Sequence, residues 1–247
     1  MENNLNNFDN GNINFTQPKS AAVDTTKAFV ANVFSWMFAA LAITSIVAYY
    51  LAHNLELLSL LINIEAGGFT MLGYIVMFSP FAFVMVMSFG LNKLSYQTLL
   101  LLFILYSALM GASLSFIFLA YTASSIYSTF MASAGMFGLM SVVGYTTKTD
   151  LTKFGSLMMM GLVGIIIASI INWFLQSAQM EYIISFIGVL VFVGLTAYDV
   201  QKLKRIGAGV ELGTASTGKL VIMGALNLYL DFINLFLFLL RLFGDRR

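Results

Sequence analysis

No Asp, Glu, Lys or Arg interrupts the chain from Phe29 to Leu51, and none from Leu94 to Thr147. The first run matches the roughly 20 residues that an α-helix needs to cross the hydrocarbon of a bilayer. The second is too long for one crossing and must hold two. Apolar segments then fit helices at 29–51, 69–90, 96–120, 125–147, 154–175, 182–202 and 219–241. Seven such segments predict an all-α polytopic membrane protein with seven transmembrane helices. Connections are short except at 53–68 and 203–218. The first is half apolar but carries Glu56 and Glu65, which suits a segment lying along the membrane surface. The second is rich in Gly, Ser and Thr.

Composition agrees: 60% of residues are hydrophobic and 9% charged, against about 25% charged in ordinary soluble domains. Residues 1–28 are polar and Asn-rich and lack the apolar core of a signal peptide. They read as a disordered or loosely ordered N-terminal tail, with 29–247 as one membrane domain. A net charge of +1 implies no nucleic-acid partner. The absence of cysteine excludes disulfides and thiolate metal sites. With the N-terminus inside, Lys19, Lys27, Lys93, Lys148, Lys153, Lys202, Lys204, Arg205 and Lys219 all collect on the inner side. Only Arg241, Arg246 and Arg247 oppose that orientation; six spans with a re-entrant last segment would relieve the conflict.

Two stripes of small residues, Ser107-Gly111-Ser115 and Ala40-Thr44-Ala48, recur every four positions and suit close helix packing in lipid. Pro80 is the one proline within a predicted span. It removes a backbone donor and predicts a kink around Ser79-Pro80-Phe81, as structural support or as a gating hinge.

The most costly residue is Asp231, mid-way along the last apolar segment. An acid at that depth costs about 2.5 kcal/mol or far more and normally faces a cavity or a partner. Asn227, Asp231, Asn234 and Arg241 fall within about 80° of one another on that helix, as one polar stripe. Asp199, near the inner end of the sixth helix, is the second candidate. It reads either as an interfacial acid paired with Lys202 or as a partner for Asp231. Pairing the two acids requires the last helix to begin nearer 221–224, or water to enter from the inner side. His53 reads as a surface residue, and Met158-Met159-Met160 as lipid-facing or core. No Ser–His pair, His-Glu-x-x-His or phosphate loop occurs, and the aspartates lack the Gly-x-Gly-Asp setting of an intramembrane protease. No enzymatic activity and no bound cofactor are expected.

The run Ala225-Leu226-Asn227-Leu228-Tyr229-Leu230-Asp231-Phe232-Ile233-Asn234-Leu235-Phe236, continuing to Leu239-Leu240-Arg241, resembles the last helix of the Bax inhibitor-1 (transmembrane Bax inhibitor motif) family. Leu195-Thr196-Ala197-Tyr198-Asp199-Val200-Gln201-Lys202-Leu203-Lys204 and Gly73-Tyr74-Ile75-Val76-Met77-Phe78-Ser79-Pro80 support the resemblance, which is to the bacterial YccA-like branch. It implies a seventh helix enclosed by the other six, and a bacterial inner-membrane location. It also implies that Asp199 and Asp231 form a di-aspartyl, pH-sensitive element of a calcium leak pathway. The arginine that some relatives carry on helix two is absent here, and the connection between helices six and seven is long.

Two carboxylates in hydrogen-bonding reach share a proton and titrate as a unit. Asp199 and Asp231 with the Asn227 and Asn234 carbonyls cannot supply the 6–8 oxygens that Ca²⁺ prefers without water. The expected role is therefore weak, transient, pH-dependent Ca²⁺ passage, with the bilayer, Ca²⁺ and protons as partners. The alternative is a non-transporting modulator of a membrane protease of the FtsH kind, or a stress-response interaction protein, with the polar tail as handle. A proton-coupled transporter using Asp231 as carrier is the third reading, but no interrupted helices suggest inverted repeats.

Overall fold

A computed structural model describes residues 19–63 and 68–246. Most of the predicted tail, with its proposed protease handle, lies outside the described residues, as does Glu65. Helix α1 spans Lys19–Ala52 and so begins ten residues before the apolar run at 29, inside the expected tail. The extension has a packing reason: Thr26 and Phe29 are buried, and Phe29 covers Gly207 at the end of another helix. The segment after α1 forms the short helix α2 (Leu55–Leu61) and a two-residue hairpin, β1 (Ile62–Asn63) with β2 (Gly68–Phe69). Five more long helices follow: α3 (Met71–Gly90), α4 (Tyr96–Leu114), α6 (Ala123–Thr146), α7 (Thr152–Leu175) and α8 (Ala178–Gly207). The last is α9 (Ala215–Phe243). The predicted helix 96–120 is interrupted: Ser115 closes α4, and α5 (Ile117–Ala120) completes the crossing.

Local chemistry sets these boundaries. Thr70, Ser95, Thr122, Ser177 and Thr214 precede α3, α4, α6, α8 and α9, and each hydroxyl accepts from the amide three residues on. At the α7–α8 turn, Gln176 adopts the left-handed conformation and Asn172 Oδ1 accepts from Ser177 N–H. Pro80 leaves the Val76 carbonyl without its helical donor. Ser79 and Ser113 hydroxyls both donate to that oxygen, at 3.0 and 2.7 Å, so the break is satisfied from α3 itself and from α4.

Among the described residues the seven crossings are α1, α3, α4 with α5, α6, α7, α8 and α9. Helix α9 is the centre, packing directly on α1, α4, α6 and α8, while α3 lies outside α4 and α7 outside α8. Its most apolar 18-residue window is 67% buried, against 11% for α7. The two small-residue stripes meet across α1 and α4: a Cβ on Gly111 would come within 2.6 Å of the Thr44 carbonyl. Thr44 donates to Ser107 O at 2.8 Å and takes the Tyr229 hydroxyl at 2.7 Å, tying both helices to α9.

The first turns of α1 lie at the Gly207 end of the bundle. At the other end, Asp245 bonds Ser125 at the start of α6, and Arg246 pairs with Glu181 at the start of α8. Helix α9 therefore crosses fully rather than re-entering, and the number of crossings among the described residues is odd.

Candidate functional site

Asp231 sits at residue 17 of the 29 in α9 and is only 5% exposed. Around it are Leu, Ile and Phe side chains that no lipid-facing helix would need to bury so completely. Its Oδ2 receives no hydrogen bond from any described donor. The group that meets the Asp231 carboxyl is Asp199 of α8, within side-chain hydrogen-bonding reach. Two ionised carboxylates have only acceptors. Unless a proton, a water or a cation lies between them, such a contact sets two like charges together.

The register of α8 against α9 explains how acids at such different positions in their helices come together. The two helices are antiparallel, and contacts on one advance as they retreat on the other. Gly188 faces Phe238 and Leu203 faces Gly224; Asp199 with Asp231 falls between these in order. Helix α9 begins at Ala215, yet Leu203 already reaches Gly224. The first turns of α9 thus project past the end of α8, which resolves the depth mismatch without shortening the helix.

Asp199 is partly exposed, whereas Asp231 is buried, so the α8 member of the pair is the more accessible one. Lys202, one turn on and exposed, acts on Asp199 through space but forms no ion pair with it within 4 Å. Asn234 spends its amide on the Leu230 carbonyl of its own helix, at 2.8 Å. Asn227 is half-buried one turn before Asp231, and neither amide donates to the Asp231 carboxyl. Arg241 is exposed and lies over the Phe238 ring at 5.3 Å, far along the helix from the acids. Pro80 is buried on α3, whose packing is chiefly against α4. The geometry therefore brings Asp199 to Asp231, with Asn227 and Asn234 on adjacent turns, and leaves Arg241 and Pro80 elsewhere. Among the described residues no three His, Asp or Glu side chains gather as a metal cage.

The family model described as "Inhibitor of apoptosis-promoting Bax1" matches residues 26–247. The chain belongs to the Bax inhibitor-1 family. It is 46% identical over 235 residues to the inner membrane protein YbhL of Escherichia coli, covering 93% of this chain and 98% of YbhL. It is also similar to a Borreliella burgdorferi protein, at 43% identity over 235 residues, 95% of this chain and 99% of that protein. A Rickettsia prowazekii protein is 40% identical over 224 residues, 90% of this chain and 91% of that one.

In this Bax inhibitor-1 family member, α8 carries a second polar cluster just below Asp199. Gln201 is buried, and its Oε1 accepts from Leu151 N–H at 2.9 Å and from Arg205 Nη2 at 2.7 Å. Its Nε2 donates to Thr149 O at 2.8 Å. Arg205 also reaches Thr152 Oγ1 and pairs with Asp150 at 3.1 Å. Lys204 donates to Tyr145 O at 2.7 Å and sits over the same ring. Together they staple the end of α8 to the α6–α7 turn. Asp150 lies in that turn, where the Thr152 hydroxyl and amide, then Arg205, hold its carboxyl below the ordinary value. Sequence reasoning missed Gln201. Its signal was the Gln201, Lys204, Arg205 spacing of one turn, opposite a short polar connection at 147–151.

Proposed function

We propose that this protein is a pH-sensitive calcium leak channel of the bacterial inner membrane, with Asp199 and Asp231 as a proton-sharing latch. The observation that carries the reading is the meeting of the two carboxyls between α8 and α9, with no described donor on Asp231 Oδ2. With one shared proton, an O–H to O⁻ bond clamps the helices. Loss of that proton leaves two negative charges in contact, which repel and part α8 from α9. A second proton removes the charge that would attract a cation. The inner-membrane location is supported by the similarity to YbhL. The Lys and Arg distribution favours the Lys204–Arg205 end as cytoplasmic, so the half-buried Asp199 would be reached from the cytoplasm.

Ca²⁺ is the transported substrate in this reading. Two carboxylates leave most of a calcium shell to water, which favours passage over tight binding. The test is Ca²⁺ flux into liposomes across pH for the wild type, Asp199→Asn and Asp231→Asn. The wild type should show pH-dependent flux, and each amide variant should lose that dependence. Unchanged flux and unchanged pH dependence in both variants would overturn the proposal.

A further inference from the structure

On the side of α9 away from the acid pair, α1 and α6 leave a cleft of about 400 Å³ between them. Ile233 and Phe236 of α9 form its floor, about 140–200° around the helix from Asp231. Leu114, Ile117 and Phe118 of α4 and α5 add a further wall, and α1 meets α6 elsewhere through Phe34 on Phe137, edge-on at 6.4 Å; between these contacts the sleeve around α9 is open. We propose that this cleft is a binding site for one acyl chain of a bilayer phospholipid.

Three observations select that occupant. The volume is within the roughly 300–1,000 Å³ typical of ligand sites. The lining is almost wholly apolar, and the Thr44 hydroxyl at its base is already spent on Ser107 O and Tyr229. Water needs two to four polar partners and does not fill such a space. Finally, the mouth opens between spanning segments, so the medium at the mouth is lipid: Ser45, Tyr49, Ala123 and Tyr127 line the cleft and are exposed.

Polarity at the rim orients the chain. Tyr49 is near the end of α1 and Tyr127 near the start of α6, both at the depth where tyrosine hydroxyls meet head groups. His53 lies against Tyr49 at the same level, the two rings tilted by 30° with centroids 4.1 Å apart. The head group sits there and the tail runs inward along Leu41 to Ile233. In lipid the gain comes from van der Waals packing against α9 rather than from expelling water. This proposal is independent of the acid pair, and either can fail alone.

The test uses the full chain in phospholipid nanodiscs. Native mass spectrometry after detergent release should show one retained phospholipid on the wild type. Ser45→Trp and Ala123→Trp place an indole in the cleft from exposed positions, and both should lose it. A phospholipid bearing a diazirine on its acyl chain should label peptides containing 41–49 and 233–236 in the wild type. That label should vanish in both variants, while labelling around the exposed Met159 and Met160 of α7 stays unchanged. A wild type that retains no phospholipid, or cleft labelling that persists in both variants, overturns the site.

Discussion

Two polar clusters on α8 stand less than one turn apart, and their hydrogen-bond accounts are opposite. At Gln201 the amide oxygen accepts from Leu151 N–H of the α6–α7 turn and from Arg205 of α8 itself, and the amide nitrogen donates to Thr149 O of that turn. At Asp199 the carboxyl finds another acid. A fully satisfied buried network rigidifies a single arrangement, whereas a buried polar group left unpaired is costly. The lower cluster therefore fixes the end of α8, and in the proposed function the upper one, held at constant depth by that anchor, is the element that responds to protons. On that proposal, anchor and switch are neighbours on one helix because a switch needs a fixed point.

The contact that serves both clusters is Gly144, whose Cα lies against the Ala197 backbone between α6 and α8. A methyl group there would overlap the Ala197 carbonyl, and backbone cannot yield as a flexible side chain can. Gly144→Ala should part the helices and cost about 3 kcal/mol, the upper range for overpacking. It should give the largest drop in thermal stability in detergent, and it should disturb the Lys204–Tyr145 contact and the acid pair together. A variant as stable as the wild type would show that the two clusters do not depend on close α6–α8 contact.

Gln201→Ala separates the clusters. It strips Leu151 N–H and Thr149 C=O of their partner and should cost about 1–2 kcal/mol. At roughly 2–4 °C per kcal/mol for a chain of this size, the midpoint of thermal unfolding should fall measurably. The pH dependence of Ca²⁺ flux should remain. Asp231→Asn should do the reverse, holding or raising the unfolding midpoint while removing the pH dependence. If Gln201→Ala also abolished the pH response, the two clusters would be one device.

The unequal legibility of these clusters has a physical origin. The crossings were readable because long uncharged runs leave a chain no alternative to spanning, and Asp231 stood out because its neighbours on both sides are apolar. Asp199 was harder: its depth relative to Asp231 depends on how far α9 projects past α8, which the spacing along one helix cannot state. The family resemblance, rather than periodicity, paired it with Asp231. The early start of α1 at Lys19 carried no apolar signal, since it rests on a few contacts such as Phe29 on Gly207. The break between α4 and α5 was invisible for the opposite reason, because apolarity continues through Phe116 while the backbone turns. Gln201 was hidden by its charged neighbours, which read as an ordinary helix end.

The smallest expected effect is at the rim of the lower cluster, where Asp150 receives the Thr152 hydroxyl and amide and faces Arg205. Those contacts favour its ionised form, so its folded value lies below the 3.8 of an unconstrained aspartate. A carboxyl lowered in the folded state binds fewer protons there than in the unfolded chain. Its stabilisation is therefore complete above the unfolded value and is lost as pH falls through the lower, folded one. Asp150 is fully exposed, and solvent screening keeps the effect small. The midpoint of thermal unfolding, followed from neutral pH to below 3.8, should converge between wild type and Asp150→Asn at the acid end, with the wild type slightly higher above it. A constant gap at every pH would mean that Asp150 contributes by shape alone. A convergence confined to acid pH would place proton sensitivity in the staple well below the range in which a cell lives, leaving the Asp199–Asp231 pair between α8 and α9 as the proposed element that answers to physiological pH.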